Sequence, residues 1–137
     1  MFYGVLNLNE ITARIYTRKH ALQSERVRYM YEYKAFVRKV YDGDTVTVDL
    51  DLGFDVCLQK QKIRLLRINA PEVRGSERPQ GLISRDRLRE KIGNKWVRIK
   101  TQKDKKGTWG RWLGEIWLEE ECINDWLLSE GLAEEYK

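Results

Sequence analysis

The stretch KIRLLRINAPE, Lys62–Glu72, decides how this sequence reads. It begins as a strand and ends as a loop. Arg64 interrupts an apolar run of Ile63, Leu65, Leu66 and Ile68, and a charged side chain is almost never buried without a partner. The run therefore predicts an arginine that points into a cleft and meets an anion. Asn69-Ala70-Pro71-Glu72 then stops the strand, because Pro71 has no N–H to give a ladder and holds Ala70 in extended backbone. An arginine, an amide and a carboxylate thus gather where a strand leaves its sheet, and loops on a rigid scaffold are the usual seat of chemistry.

Outward from that stretch, the pattern is short strands, then a helix, then more strands. Ala35–Tyr41 reads as a strand and Asp42-Gly43-Asp44 as a tight turn. Thr45–Leu52 alternates strictly, with Val46, Val48, Leu50 and Leu52 on one face, and Phe54, Val56 and Leu58 resume the alternation after Gly53. Three successive strands make an antiparallel meander the simplest topology. Beyond the polar loop Val73–Pro79, Gln80–Ile92 reads as a helix with Gly93 just past its end. Trp96–Thr101 and Arg111–Leu118 read as strands around a charged turn at Lys103–Gly107. Glu119–Glu121 places acid at the start of a helix, whose dipole favours it there, and Cys122, Ile123, Trp126 and Leu127 give that helix an apolar stripe up to Gly131. The order predicts an α+β, mainly β domain: a small OB-type five-stranded barrel with packed helices. The expected core is Val46, Val48, Leu50, Ile63, Leu65, Leu66, Ile68, Val97, Ile99, Leu113 and Ile116, with Ile123 and Leu127 on the packed helix.

One domain suits 137 residues. The division expected is an N-terminal extension at 1–34 and the barrel domain at 35–137. Met1–Tyr33 carries no catalytic signature and is compatible with a docked helix, an arm on a partner or a partly mobile segment. Net charge is +5 but unevenly spread: Val73–Arg111 holds 13 basic and 4 acidic side chains, while Trp112–Lys137 holds 1 and 8. A basic block suggests a polyanion such as nucleic acid, or simply a solvated charged face. The lone His20 argues against histidine-based metal or triad chemistry, and two distant cysteines, Cys57 and Cys122, neither dictate a disulfide nor make a thiolate metal site. No apolar run approaches a membrane span, and the opening MFYGVLNLNE lacks the basic start of a standard signal peptide, so a cytoplasmic location is the default expectation.

Four pieces, VYDGDTVTV, KIRLLRINAPE, WGRWLGEIW and INDWLLSEGLA, occur in that order between about Phe36 and Ala133. Together they resemble the staphylococcal nuclease (thermonuclease) family. The resemblance implies a five-stranded OB-type barrel and Ca²⁺-dependent hydrolysis of phosphodiester bonds in DNA and RNA, leaving 3′-phosphate ends. It implies that Asp44, Asn69 and the backbone carbonyl of Ala70 hold the metal, with Mg²⁺ or Mn²⁺ as alternatives. It implies that Glu72 is the general base and that Arg64 and Arg111 hold the phosphate. Lys103, Lys105, Lys106 and Trp109, in the turn leading to Arg111, are the expected nucleic-acid approach. The bottom-up chemistry agrees: carboxylate, amide and carbonyl oxygens suit Ca²⁺, a carboxylate can take a proton from water, and arginines offset phosphoryl charge.

Three features depart from the family pattern. Asn69 stands where the family has Asp, Thr108-Trp109 stands where a basic residue and a tyrosine are common, and the sequence stops soon after Gly131-Leu132-Ala133, leaving the family's last helix without a counterpart. Two rival expectations follow: a catalytically weak nucleic-acid-binding module of the same fold, or a protein-interaction domain using the acidic C-terminal block and the aromatic N-terminal arm.

Overall fold

The computed structural model describes residues 31–103 and 112–136. Five strands build a closed barrel: β1 (Tyr31–Asp42), β2 (Thr45–Asp51), β3 (Cys57–Leu65), and then, after a two-residue strand β4 (Ile68–Asn69) and helix α1 (Arg78–Ile92), β5 (Trp96–Lys103) and β6 (Trp112–Leu118). β1, β2 and β3 form the expected antiparallel meander, β5 pairs β1, and β6 pairs β5. Parallel pairing of β3 with β6, Ile63 opposite Trp112 and Leu65 opposite Gly114, closes the ring. Closure leaves Gly114 no room for a side chain, since a Cβ there would lie 2.5 Å from Ile63 Cγ2.

The interior is filled by the alternating faces. Val46, Val48, Leu50, Ile63, Leu65, Ile68, Val97, Ile99 and Ile116 are buried, and Leu88 and Ile92 of α1 join them. Leu66 and Leu113 of the expected core are only half-buried. Leu66 sits in the turn between β3 and β4, where Arg67 takes a left-handed φ of 67° and ends the alternation.

Several boundaries differ from the sequence expectation. β1 begins at Tyr31, four residues early, because Tyr31–Lys34 pair with Arg98–Thr101 on β5. The alternation of Phe54, Val56 and Leu58 does not bury them: Gly53, Phe54 and Asp55 form a turn with positive φ, and the three apolar side chains lie exposed. α1 starts at Arg78, behind a short 3-10 turn at Gly75–Glu77 and with Pro79 in its first turn. Gly93 follows α1 but has a φ of −57°, and Asn94 supplies the left-handed residue. Gly93 is instead small because a Cβ would meet Arg89 O at 2.4 Å. Glu119 and Glu120 make a turn and Glu121 pairs in a two-residue strand, β7 (Glu121–Cys122), ahead of helix α2 (Ile123–Ser129), so Asp125 is the acid in its first turn.

The helices lock the site side of the barrel. Buried Asn124 of α2 donates to Leu66 O at 2.9 Å and Gly114 O at 3.2 Å and accepts from Ile116 N at 3.0 Å, tying α2 to β6 and to the turn after β3. A last short strand, β8 (Glu134–Glu135), pairs with β4. Cys57 and Cys122 are both free thiols. Among the described residues no helix is long and apolar enough to cross a membrane.

Candidate active site

The β1–β2 turn places Asp44 against the end of β3. Asp42 Oδ1 accepts from Asp44 N at 3.0 Å, and Asp44 O accepts from Leu65 N at 2.7 Å. The carboxylate is buried and fully engaged. Its Oδ2 accepts from Ala70 N at 2.8 Å and pairs with Arg64 Nη1 at 2.8 Å, and its Oδ1 accepts from Thr45 Oγ1 at 3.1 Å. Burial, then the neighbouring Asp42 carboxyl, push the Asp44 pKa up to about 6; the Ala70 N–H and Arg64 pull the other way and lose.

Arg64 meets an anion, as the apolar run around it predicts. The anion is Asp44, and the second Arg64 nitrogen donates to Asn69 Oδ1 at 3.1 Å. The guanidinium therefore bridges two residues of the expected metal set. Asn69, in β4, is held opposite Glu134 of β8, and Ala70 is buried.

The donor set fits a hard cation in kind. Asp44 and Asn69 aim oxygens at one positive charge, the Arg64 guanidinium, and no nitrogen or sulfur donor is among them. It is poor in charge, because Asn69 is neutral and, among the described residues, no three His, Cys, Asp or Glu side chains gather as a metal cluster.

Glu72 follows Pro71 on the loop out of β4, with its side chain exposed. Its backbone N–H donates to Glu77 Oε2 at 2.9 Å, and its carbonyl lies hard against α1 at Gly81. A Cβ on Gly81 would lie 2.0 Å from Glu72 O. Gly43 is matched in the same way to Ala70 and Ser84, where a Cβ would lie at 2.7 and 2.9 Å. Ser84 in turn donates to Leu132 O at 2.7 Å. One face of α1 thus fixes the Asp44 turn, the Glu72 loop and the C-terminal segment together.

Asp42, Gly81 and the rim pair Arg74–Tyr41 (2.9 Å) were not singled out from sequence. The Asp-Gly-Asp spacing could have flagged Asp42; nothing local marks Gly81 or Arg74. The structure brings Asp44, Arg64, Asn69, Ala70 and Glu72 to one corner. Arg111, Lys105, Lys106 and Trp109 lie outside the described residues, as does the side chain of Lys103. Trp112, next to Arg111, pairs with Ile63, next to Arg64.

Part of the basic block is taken up in ion pairs. Arg87 pairs with Glu130 at 3.4 Å, Lys91 with Glu121 at 2.7 Å and Arg98 with Glu32 at 2.8 Å. The acidic C-terminal block supplies two of these partners.

Residues 62–137 match the family model described as staphylococcal nuclease homologue. That range contains Arg64, Asn69, Ala70, Glu72 and Arg111 and begins after Asp44. The chain is 34% identical over 100 residues to a protein called thermonuclease from Staphylococcus hyicus, and 32% identical over 100 residues to another of that name from Staphylococcus intermedius. Each alignment covers 71% of this chain and 56% of the relative, so the chain spans little more than half the length of these curated relatives.

Proposed function

The chain belongs to the family of staphylococcal nuclease homologues, and from that premise we propose that it is a metal-dependent nuclease that hydrolyses phosphodiester bonds in DNA, RNA or both. The observation that carries the proposal is the convergence of Asp44, Arg64, Asn69, Ala70 and the Glu72 loop at one barrel corner. A structural ion pair between Arg64 and Asp44 needs neither the Asn69 amide nor an exposed carboxylate on a clamped loop beside it.

Asp44, Asn69 and the Ala70 carbonyl would hold Ca²⁺. A divalent cation so bound polarises a phosphoryl oxygen and offsets its charge. The remaining work falls to the chain's own side chains. Glu72 presents its carboxylate to solvent, where it can accept a proton from a water that attacks phosphorus. Arg64 has a planar fork that can leave Asp44 and Asn69 for two phosphate oxygens. Arg111 is proposed as the second phosphate-binding arginine, with Lys103, Lys105, Lys106 and Trp109 along the nucleic-acid approach. Single strands are the substrates to try first, since their phosphates reach a surface corner without unwinding.

One observation favours a second reading, a nucleic-acid-binding module without turnover: Arg64 already neutralises the only carboxylate of the proposed metal set. A single gel separates the two. Labelled single-stranded DNA and RNA are incubated with Ca²⁺, Mg²⁺, Mn²⁺ or EDTA. The nuclease gives shortened products with a cation and none with EDTA. Retarded but intact strands under every condition support the binding module.

A further inference from the structure

The barrel end remote from the Asp44 corner carries an apolar face that continues the core and lies open. Val46, Val48 and Leu50 point inward on β2, and the alternation puts Leu52 on that same face. Leu50 pairs with Leu58, which brings Leu58 to this face and, two residues earlier, Val56. Leu50 is buried, yet Leu52, Val56 and Leu58 are 39%, 52% and 45% exposed. Phe54, at the hairpin tip, is wholly exposed on a left-handed backbone with a φ of 53°. Scattered exposed apolar side chains are ordinary, but four together on one hairpin mark a contact surface. The turn is built to hold this shape: Leu52 N donates to Val56 O and Val56 N to Gly53 O, each at 2.9 Å.

The register says what lies nearest. β1 and β2 are antiparallel with Lys34 opposite Asp51. That order sets the start of β1 at the same end of the barrel as the β2–β3 hairpin, and thirty residues precede Tyr31, the first described residue. They include Phe2, Tyr3, Val5, Leu6, Leu8, Ile11 and Ile15, enough apolar side chains to cover such a face. They also carry five basic residues against two acidic ones, Glu10 and Glu25. The hairpin carries Asp51 and Asp55 beside its apolar side chains, so the charges complement.

We propose that the N-terminal segment, residues 1–30, docks on the β2–β3 hairpin through Leu52, Phe54, Val56 and Leu58. The surface is separate from the Asp44 corner and independent of the nuclease reading.

Limited trypsin digestion of the full chain tests this, with cleavage after Arg14, Arg18, Lys19, Arg26 and Arg28 followed by mass spectrometry. The native chain is compared with Phe54→Asp and with Phe54→Asp/Val56→Asp. Both replaced side chains are exposed, and a melting curve read on the barrel checks that each variant folds. Cleavage of the N-terminal sites is expected to be slow in the native monomer and roughly 10-fold or more faster in the double variant, because proteolysis follows the population of the open form. Equal cleavage rates in native and variant chains overturn the proposal. So does light scattering that shows a native dimer which Phe54→Asp dissociates, for then a second copy covers the hairpin.

Discussion

Gly81→Ala puts one methyl group where the structure leaves no space, and its effect can be worked out in advance. The added Cβ would lie 2.0 Å from Glu72 O, 2.5 Å from Glu72 C and 2.9 Å from Val73 N. All three are backbone atoms, so no side chain can swing aside. Real Cβ contacts stay above 3.0 Å, so the Glu72 carbonyl and α1 must separate by at least 1.0 Å. Alanine is the better helix former by about 1 kcal/mol, but overpacking costs about 1–3 kcal/mol, so the net stability change is a loss of up to about 2 kcal/mol. α1 is itself held by the Ser84–Leu132 hydrogen bond and by Gly43 against Ser84, so the loop gives way more easily than the helix. If Glu72 is the general base proposed above, its displacement by about 1 Å costs on the order of 10²-fold in rate. The assay is cation-dependent cleavage of a single-stranded oligonucleotide, with kcat and KM measured separately beside a melting curve. The expected result is a fall in kcat with KM little changed. Native melting and native kcat together would refute the tight contact. A lowered Tm with native kcat would keep the contact and remove Glu72 from the chemistry.

Arg64→Ala is expected to lower turnover by roughly 10²–10³-fold, the scale for one preorganised charge, and Glu72→Gln by roughly 10²–10⁴-fold, the scale for a general base; single-turnover cleavage measures both, and native rates in both variants would reject the assigned roles. Asn69→Asp adds a charge to the proposed cation site and should tighten Ca²⁺ binding in calorimetry, since affinity follows the charge of the ligands; equal affinity in the two forms would place residue 69 away from the metal. Asp49 gives a pH signature: the Lys60 N–H at 3.0 Å, then the Arg38 guanidinium, hold its pKa below the usual carboxylate value. Its contribution to stability is therefore present above that usual value and lost as pH falls through the lowered one, so the Tm gap between native and Asp49→Asn should be widest near neutrality and close in acid.

The barrel was legible because its signal is local and periodic. Strict alternation through Val46, Val48 and Leu50 and the apolar run from Ile63 to Ile68 each specify a face without knowledge of a partner. The Arg64 partner was legible for a different reason: an arginine inside an apolar run needs an anion beside it, and Asp44 is that anion. What failed to show depends on contacts far apart in sequence. Asp49 alternates as an outward residue, yet it is buried, because a register shift between Val48 and Leu50 and the left-handed φ of Lys60 bring the Lys60 N–H onto it. Gly81 reads as a weak helix position until the Glu72 carbonyl is set against it. The basic and acidic blocks look like two opposed faces, yet Arg87 and Lys91 spend their charge on Glu130 and Glu121.

Asn69 also changes what Arg64 does. A carboxylate at that position would give the corner two negative charges against one guanidinium and leave a net charge for a cation to balance. With Asn69 the ionised Asp44 and Arg64 balance each other, and Arg64 serves both oxygen donors, at 2.8 and 3.1 Å. Removing one partner from a buried ion pair costs about 3–5 kcal/mol, so Arg64 does not leave Asp44 unless something replaces it as an acceptor. A phosphodiester is such a replacement, because it takes the guanidinium fork bidentately. In the proposed reading, a nucleotide phosphate draws Arg64 away and uncovers the Asp44 and Asn69 oxygens together. Nucleotide and cation then bind with positive coupling, and linkage requires each to raise the affinity of the other by the same factor. A site of this kind is weak toward cation alone and strong toward cation with substrate, which turns the charge lost at Asn69 into dependence on the nucleic acid itself.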